Sequence, residues 1–351
     1  MPIATIWLKH KDALYAIVLP RHKATHLERL WSEGHCDLTK SPRLWSITVG
    51  LIVKIPDLQY PSYIPLTFQS SDRLKMEEKY KSLNVIHKSA NSRVVTVYLN
   101  RPARFNALSR DFFTEFPKAL ASLDESPNVA VIVLAGAGKH FCSGIEVDTL
   151  GSVAGESQSS DPGRTREKLR RDIKFMQDAV TAIERCRKPV IAAVHGACIG
   201  GAIDIITACD IRYCAADAFF SVKEVDLALA ADLGTLQRLP SIVGFGNAME
   251  LSLTGRRFSG SEAKELGLVS KVFGTKEALE EGVRAIAEGI AAKSPLAVIG
   301  TKAVLLNTRD LTVEQGLDYV ATWNSAVLPS DDLKEAVSAQ REKRKPVFAK
   351  L

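Results

Sequence analysis

No stretch of this 351-residue sequence is apolar for long enough to cross a bilayer. Its strongly apolar runs are short, residues 47–53 among them, against the roughly 20 residues a spanning helix needs. A soluble globular protein is expected. Cysteine is sparse and carries no pattern. Cys36, Cys142, Cys186, Cys198, Cys209 and Cys214 form no Cys-x-x-Cys pair and no Cys/His zinc spacing. Most lie in apolar segments, where a thiol behaves as a small hydrophobe, so a reducing compartment is expected. The seven histidines are scattered, and no metal site is expected. A strong charge imbalance is missing too, since net charge is only +6. With no dense basic and aromatic patch, nucleic-acid binding has no support. The mild excess fits either a solvated surface or a site for an anionic, phosphate-bearing ligand. The Gly-x-Gly-x-x-Gly of a dinucleotide fold is also absent.

What remains is 46% apolar residues, enough for a sizeable core. Composition shifts near residue 75. The first 65 residues hold Trp7, Trp31 and Trp45, with six of the fifteen prolines, and show no amphipathic repeat. Residues 1–75 are set apart as an extension of unknown role, with acids that spoil a transit peptide. Residues 76–260 read as the core, 261–345 as a helical region and 346–351 as a tail.

From residue 83 the pattern is regular. Residues 83–87 and 94–99 read as strands joined by a turn at 89–92. Ser109 can cap a helix carrying Phe112, Phe113, Phe116, Leu120 and Leu123, which Pro117 should bend or shorten. Residues 129–135 and 190–194 read as strands buried on both faces. A Gly/Ser-rich loop is expected at 151–165, then a helix with Leu169, Ile173, Met176, Val180 and Ile183 on one stripe. A helix at 200–209 and a strand at 211–214 follow. From 261 onward only helices are expected. Strand and helix alternate, which makes the fold α/β with a parallel sheet.

Two Gly-containing turns follow predicted strands, at 140–145 and 195–202. Backbone N–H groups there can face an oxyanion, the second turn adding a helix N-terminus. Converging, they would form an oxyanion hole; separately, each is also what a tight turn requires. Of the six carboxyls between Gly196 and Leu239, three stand out in this apolar, Gly- and Ala-rich run: Asp204, Glu224 and Asp232. Singly, Asp204 could be a helix-dipole partner and Glu224 a surface charge. Asp232, following the apolar run 227–231, needs a partner or a task. Mutual repulsion and burial raise carboxyl pKa values, giving an acid and a base near neutral pH. Asp210 is read as structural, neutralised by Arg212.

Several motifs then resemble one family. They are LNRPARFNAL (99–108), HFCSGIEV (140–147), KPVIAAVHGACIGGAIDIITACDIR (188–212), GTLQRLPSIVG (234–244) and LTGRRFSGSEAKELGLVSKV (253–272). About three quarters of the chain is similar to the crotonase, or enoyl-CoA hydratase/isomerase, superfamily. The resemblance implies a spiral of ββα units with a C-terminal helical oligomerisation region. It also implies an acyl-CoA thioester substrate, no separate cofactor, and trimers that pair into hexamers. It places an oxyanion hole on the N–H groups of Ile145 and Gly201, and substrate or CoA contacts on Arg104, Ala107, Ser143, Gly144, Glu146, Val147 and Ala202. Two departures stand out: Glu146-Val147 replaces Asp-Leu after Ile145, and Ala202 replaces the third Gly.

Hydratases fill the positions of Asp204 and Glu224 with Glu and have Gly near 232. Residues 222–240 (VKEVDLALAADLGTLQRLP) are similar instead to the dienoyl-CoA isomerase branch. The activity so implied is conversion of a 3,5-dienoyl thioester to the 2,4-dienoyl isomer in β-oxidation. Asp232 would take a proton from C2, Glu224 would return one at C6, and Asp204 would tune Glu224. The rivals are a 2-enoyl-CoA hydratase and, from another class, a non-catalytic RNA-binding or scaffold protein. The final Ala349-Lys350-Leu351 resembles a peroxisomal import signal, read by an import receptor, though a chance tripeptide would look the same. A mitochondrial address is the alternative.

Overall fold

The computed structural model describes residues 3–10, 13–20, 53–55, 80–89, 91–149 and 161–351. The chain divides into two units, Met1–Met76 and Glu77–Leu351. In the first, β1 (Ile3–His10) pairs antiparallel with β2 (Ala13–Pro20), which also pairs with β3 (Val53–Ile55). The extension thus carries a small sheet where the sequence assigned no fold.

The second unit carries strands β4 (Leu83–His87), β5 (Val94–Leu99), β6 (Val131–Gly136), β7 (Val190–Val194), β8 (Ala197–Ile199), β9 (Ile211–Ala215), β10 (Phe219–Ser221), β11 (Phe258–Ser259) and β12 (Lys271–Phe273). Its helices are α1 (Arg110–Glu125), α2 (Pro162–Arg185), α3 (Gly201–Ala208), α4 (Thr235–Val243), α5 (Phe245–Thr254), α6 (Gly260–Glu265), α7 (Lys276–Ala291), α8 (Pro295–Thr308), α9 (Val313–Val327) and α10 (Asp331–Glu342). The main sheet has the order β12-β9-β7-β6-β5-β4. It is parallel except for the β4–β5 hairpin, whose turn closes through Ser92 N–H to Ser89 O. A second sheet, β11-β10-β8, stands beside it.

Period-two alternation along the central strands builds two cores. Ile132, Leu134, Ala192 and Val194 pack with Phe112, Phe116 and Leu120 of α1 and Val180 and Ile183 of α2. Val131, Val133, Ala135, Ile191 and Ala193 face α7 through Leu279, Val283 and Ala287. Each large side chain so buried contributes roughly 1.5–3 kcal/mol. The sheet is covered on both sides, as parallel sheets require.

Several expectations are corrected. Pro117 does not shorten α1, which runs unbroken through it. A proline costs one main-chain donor, and the buried stripe of Phe112, Phe116 and Leu120 outweighs that here. Ser109 stands at the N-cap position with extended backbone, but its hydroxyl makes no cap bond. The loop expected to 165 ends earlier, because the Asp161 carboxylate accepts from the N–H groups of Gly163 and Arg164 and starts α2 at Pro162. The rest of that loop, 150–160, lies outside the described residues. The region from 261 onward is not helical throughout: β12 pairs with β9 at the sheet edge. It is too short for periodicity to reveal.

Asp210 is structural, but Lys302, not Arg212, contacts it. Lys302 on α8 donates to Asp210 Oδ2 at 2.8 Å and to the carbonyls of Ile183 and Lys188 at 3.0 Å each. Arg212 donates instead to the carbonyls of Leu268 and Cys209. Both members of the Lys302–Asp210 pair are largely buried, with side chains 7% and 19% exposed. Lys302→Met is therefore expected to cost about 3–5 kcal/mol, and Asp210→Asn added to it should restore part of the loss. Urea unfolding of the parent and the two variants checks this; a loss under about 1 kcal/mol in Lys302→Met would show that the pair does not fasten α8.

Candidate active site

The two Gly turns leave the C-terminal ends of β6 and β7 and run side by side. A parallel bridge joins Cys142 to Cys198. Cys142 N–H donates to Ala197 O at 2.9 Å, and Ile199 N–H to Cys142 O at 3.2 Å. A second bridge, Leu108 to Ile145, ties in the loop after β5. A Cβ placed on Gly201 would lie 3.0 Å from Ile145 Cγ1, so the two oxyanion candidates are immediate neighbours. Neither the N–H of Ile145 nor that of Gly201 donates to another group among the described residues. Gly201 opens α3, adding the positive end of the helix.

The second sheet aims the first carboxyl. Gly200 N–H donates to Ser221 O at 2.9 Å, at the end of β10. Three residues on, Glu224 starts a short 3₁₀ helix, Glu224–Leu227, with 8% of its surface exposed. Its Oε1 lies 3.5 Å from where a Cβ of Gly200 would be, at φ +56°. Gly is needed there both for the backbone angle and for room beneath the carboxyl. Glu224 Oε2 is buried without a hydrogen-bond partner. Burial first, then the charge of Asp232, raises its pKa.

Asp204 lies one turn into α3, 1% exposed. Its Oδ1 accepts from the N–H and the hydroxyl of Thr235, at 2.7 and 2.8 Å. Burial, then Glu224, push its pKa up to about 7 against those bonds, with a smaller push from Asp232. Asp232 is half-buried just before α4, and burial raises its pKa as well. The three carboxyls therefore sense one another beside two free amides. Such a site can take a proton at one point and return it at another, with charge held on an oxygen between.

The other candidates divide. Gly144 and Ala202 are buried in the turns; Ser143 and Ala107 are half-buried beside them. Arg104 is exposed and makes no ion pair among the described residues, and Val147 is 75% exposed. Glu146 is held by Arg101 in a two-point pair at 3.0 and 3.1 Å, and the same guanidinium donates to Ala107 O. Arg101 was not singled out from the sequence, nor was Asn106. Buried at φ +57°, Asn106 accepts from Arg101 N–H and donates to the carbonyls of Ala137 and His140. An Asn between two predicted elements was the available signal, since Asn tolerates that conformation.

This fold and site define a crotonase. The Enoyl-CoA hydratase/isomerase family profile matches residues 89–350, and the chain belongs to that family. Its relatives narrow the likeness. It is 70% identical over 275 residues to the peroxisomal Δ(3,5)-Δ(2,4)-dienoyl-CoA isomerase of Arabidopsis thaliana, covering 78% of this chain and 99% of that one. It is 44% identical over 269 residues to the mitochondrial enzyme of that name from Mus musculus, covering 76% and 82%. The crystal structure of an enoyl-CoA hydratase from Bacillus anthracis matches with a TM-score of 0.70 at 33% identity, over 77% of this chain and 99% of that one.

Asp204 supplies a pH test. Its pKa rises from 3.8 to about 7 on folding, so the native chain keeps a proton that the unfolded chain loses between about pH 4 and 7. Stability should fall as pH rises through that window and level off above it. Asp204→Asn keeps the oxygen that Thr235 binds and removes the titration. It should unfold at a higher temperature than the parent at pH 8, by a few degrees or on the order of 1 kcal/mol, with less gain at pH 5. Thermal unfolding at both pH values reads this out; an equal difference at each would show that the carboxyl is not held neutral.

Proposed function

We propose that this chain is a Δ3,5-Δ2,4-dienoyl-CoA isomerase of fatty-acid β-oxidation, acting in the peroxisome without a separate cofactor. The observation that carries the reading is Asp232. It adds a third carboxyl, electrostatically coupled to Glu224 and Asp204, beside the free amides of Ile145 and Gly201. The 70% identity to the Arabidopsis isomerase supports the same substrate.

The thioester oxygen binds the N–H groups of Ile145 and Gly201. The Asp232 carboxylate takes the C2 proton, and the released electron pair forms a dienolate extended from the thioester oxygen to C6. Glu224, whose pKa burial raises, acts as the acid, delivers a proton to C6 and leaves the 2,4-dienoyl thioester. Asp232 ends protonated and Glu224 ionised, so one proton must pass back before the next turnover. Asp204, its pKa lifted to about 7, keeps a share of protonated form at neutral pH and so lessens the charge around Glu224. The Arg101–Glu146 pair fixes the oxyanion loop, and the unpaired Arg104 beside it is the cation for a CoA phosphate. Ala107, Ser143, Gly144, Val147 and Ala202 shape the thioester channel.

The hydratase reading is weaker on geometry. Asp204 is enclosed and its Oδ1 is engaged by Thr235, so it is poorly placed to hold a water opposite Glu224. The peroxisomal address is supported by the name of the Arabidopsis relative. Large apolar side chains stay exposed on the helices, Phe245 at 72%, Leu305 at 67%, Val313 at 81% and Leu317 at 62%, and copies of the chain would cover them. The expected species is a trimer or hexamer by light scattering; a monomer at micromolar concentration rejects it.

Asp232→Asn should lower isomerisation roughly 10²–10⁴-fold while leaving circular dichroism and melting temperature near parental values. The assay follows ultraviolet absorbance of the conjugated product from 3,5-octadienoyl-CoA. Near-parental turnover would remove Asp232 from the chemistry, and hydration of 2-enoyl-CoA as the faster reaction would favour the hydratase.

A further inference from the structure

Asp232 sits on a stretch, residues 228–234, with no helix or strand of its own. A base there keeps its aim only if other elements hold the main chain. Gln177, half-buried on α2, donates from Nε2 to the carbonyl of Asp232 itself, at 2.6 Å. Arg238 of α4 holds the far end. Its Nη2 donates to Glu184 Oε2 at 2.6 Å, and its Nη1 lies 3.4 Å from Leu233 O. A Cβ on Gly234, at φ +127°, would lie 1.7 Å from that Nη1, so the chain wraps around the guanidinium. Arg309 donates to the other oxygen of Glu184 at 2.9 Å. Thr235 closes the series by binding Asp204.

We infer that Gln177 is a positioning residue for Asp232: its amide fixes the Asp232 carbonyl and so sets the reach of the carboxyl toward the substrate's alpha carbon. The inference rests on the proposed isomerase reading. Gln177 bonds the main chain and not the carboxyl, so it has no proton to exchange with substrate. The Glu184–Arg238 pair is the structural anchor. Gln177 is the adjustable contact, because it acts on the residue that carries the base.

The test compares Gln177→Leu, Asp232→Asn and the double variant in the full-length enzyme. Two readouts are used: turnover of 3,5-octadienoyl-CoA, and exchange of its C2 hydrogen in deuterated water. Gln177→Leu should lower kcat roughly 10- to 100-fold, the scale of a displaced catalytic group. KM should change less than about threefold, and C2 exchange should slow in parallel. Added to Asp232→Asn it should cost less than about twofold more, because its route of action is already gone. Asp178→Asn, an exposed neighbour paired with Arg185, should leave turnover unchanged. Should Gln177→Leu fail to fold, Gln177→Glu keeps the shape and removes the donor, and the same losses are expected. Losses that multiply in the double variant, or a raised KM with kcat intact, overturn the inference. Parental turnover in Asp232→Asn alone would instead refute the base assignment on which it rests.

Discussion

A carboxyl pressed against a glycine turn, with one oxygen left unbonded, is the constraint around which this molecule is arranged. Glu224 is almost fully buried, and its Oε2 has no partner. A buried polar group without a hydrogen bond costs on the order of 1–3 kcal/mol. An arc of unbonded donors lies close by, the amides of Ile145 and Gly201. A fold selected for stability alone would pair donors with acceptor. Here the two turns are stitched to each other and to β10, so neither can swing toward the carboxyl. The unmet bonds are held apart, which is how preorganised sites keep their reorganisation cost low.

The architecture follows from that need. Parallel strands deliver their following turns to one edge, so β6 and β7 bring both amides to one place. The second sheet supplies what the first cannot. β8 continues directly from the second turn, and β10, paired with it, ends three residues before Glu224. One short ladder therefore sets the height of the acid above Gly200. The third carboxyl arrives differently, on an irregular segment locked to α2 and to Asp204 by side chains. Two acids have main-chain frames; the third depends on Gln177, Arg238 and Thr235.

This division explains what could be read from the sequence. Long apolar runs such as VIVLAG and VIAAV fix strand, burial and face at once, because burial on both sides leaves no other pattern. The two turns and the three acids were legible because Gly and carboxylates are conspicuous in an apolar run. Strands of two or three residues were not, since β8, β10, β11 and β12 are too brief for any period to show. Pro117 misled because its local cost was visible and the packing of Phe112 and Phe116 was not. Lys302 lies 92 residues from Asp210, so only the nearby Arg212, which adds a weaker favourable charge, was legible as its partner. The long-range contacts of Gln177 and Arg238 were invisible for the same reason.

Asp204 shows how one fold separates two chemistries. Activating a water needs two carboxyls that both reach it, each with an oxygen to spare. Asp204 is one methylene shorter than Glu, lies against α4, and gives Oδ1 to both donors of Thr235. Its burial lifts its pKa to about 7, so at neutral pH a share of it stays protonated, and a protonated acid is a poor base for water. The same neutrality is useful when the partner base sits elsewhere. When Asp204 is protonated, Glu224 is relieved of one repulsion. On the isomerase reading proposed above, a base on the segment before α4 in place of one on α3 suits carrying a proton along a chain of carbons better than adding water.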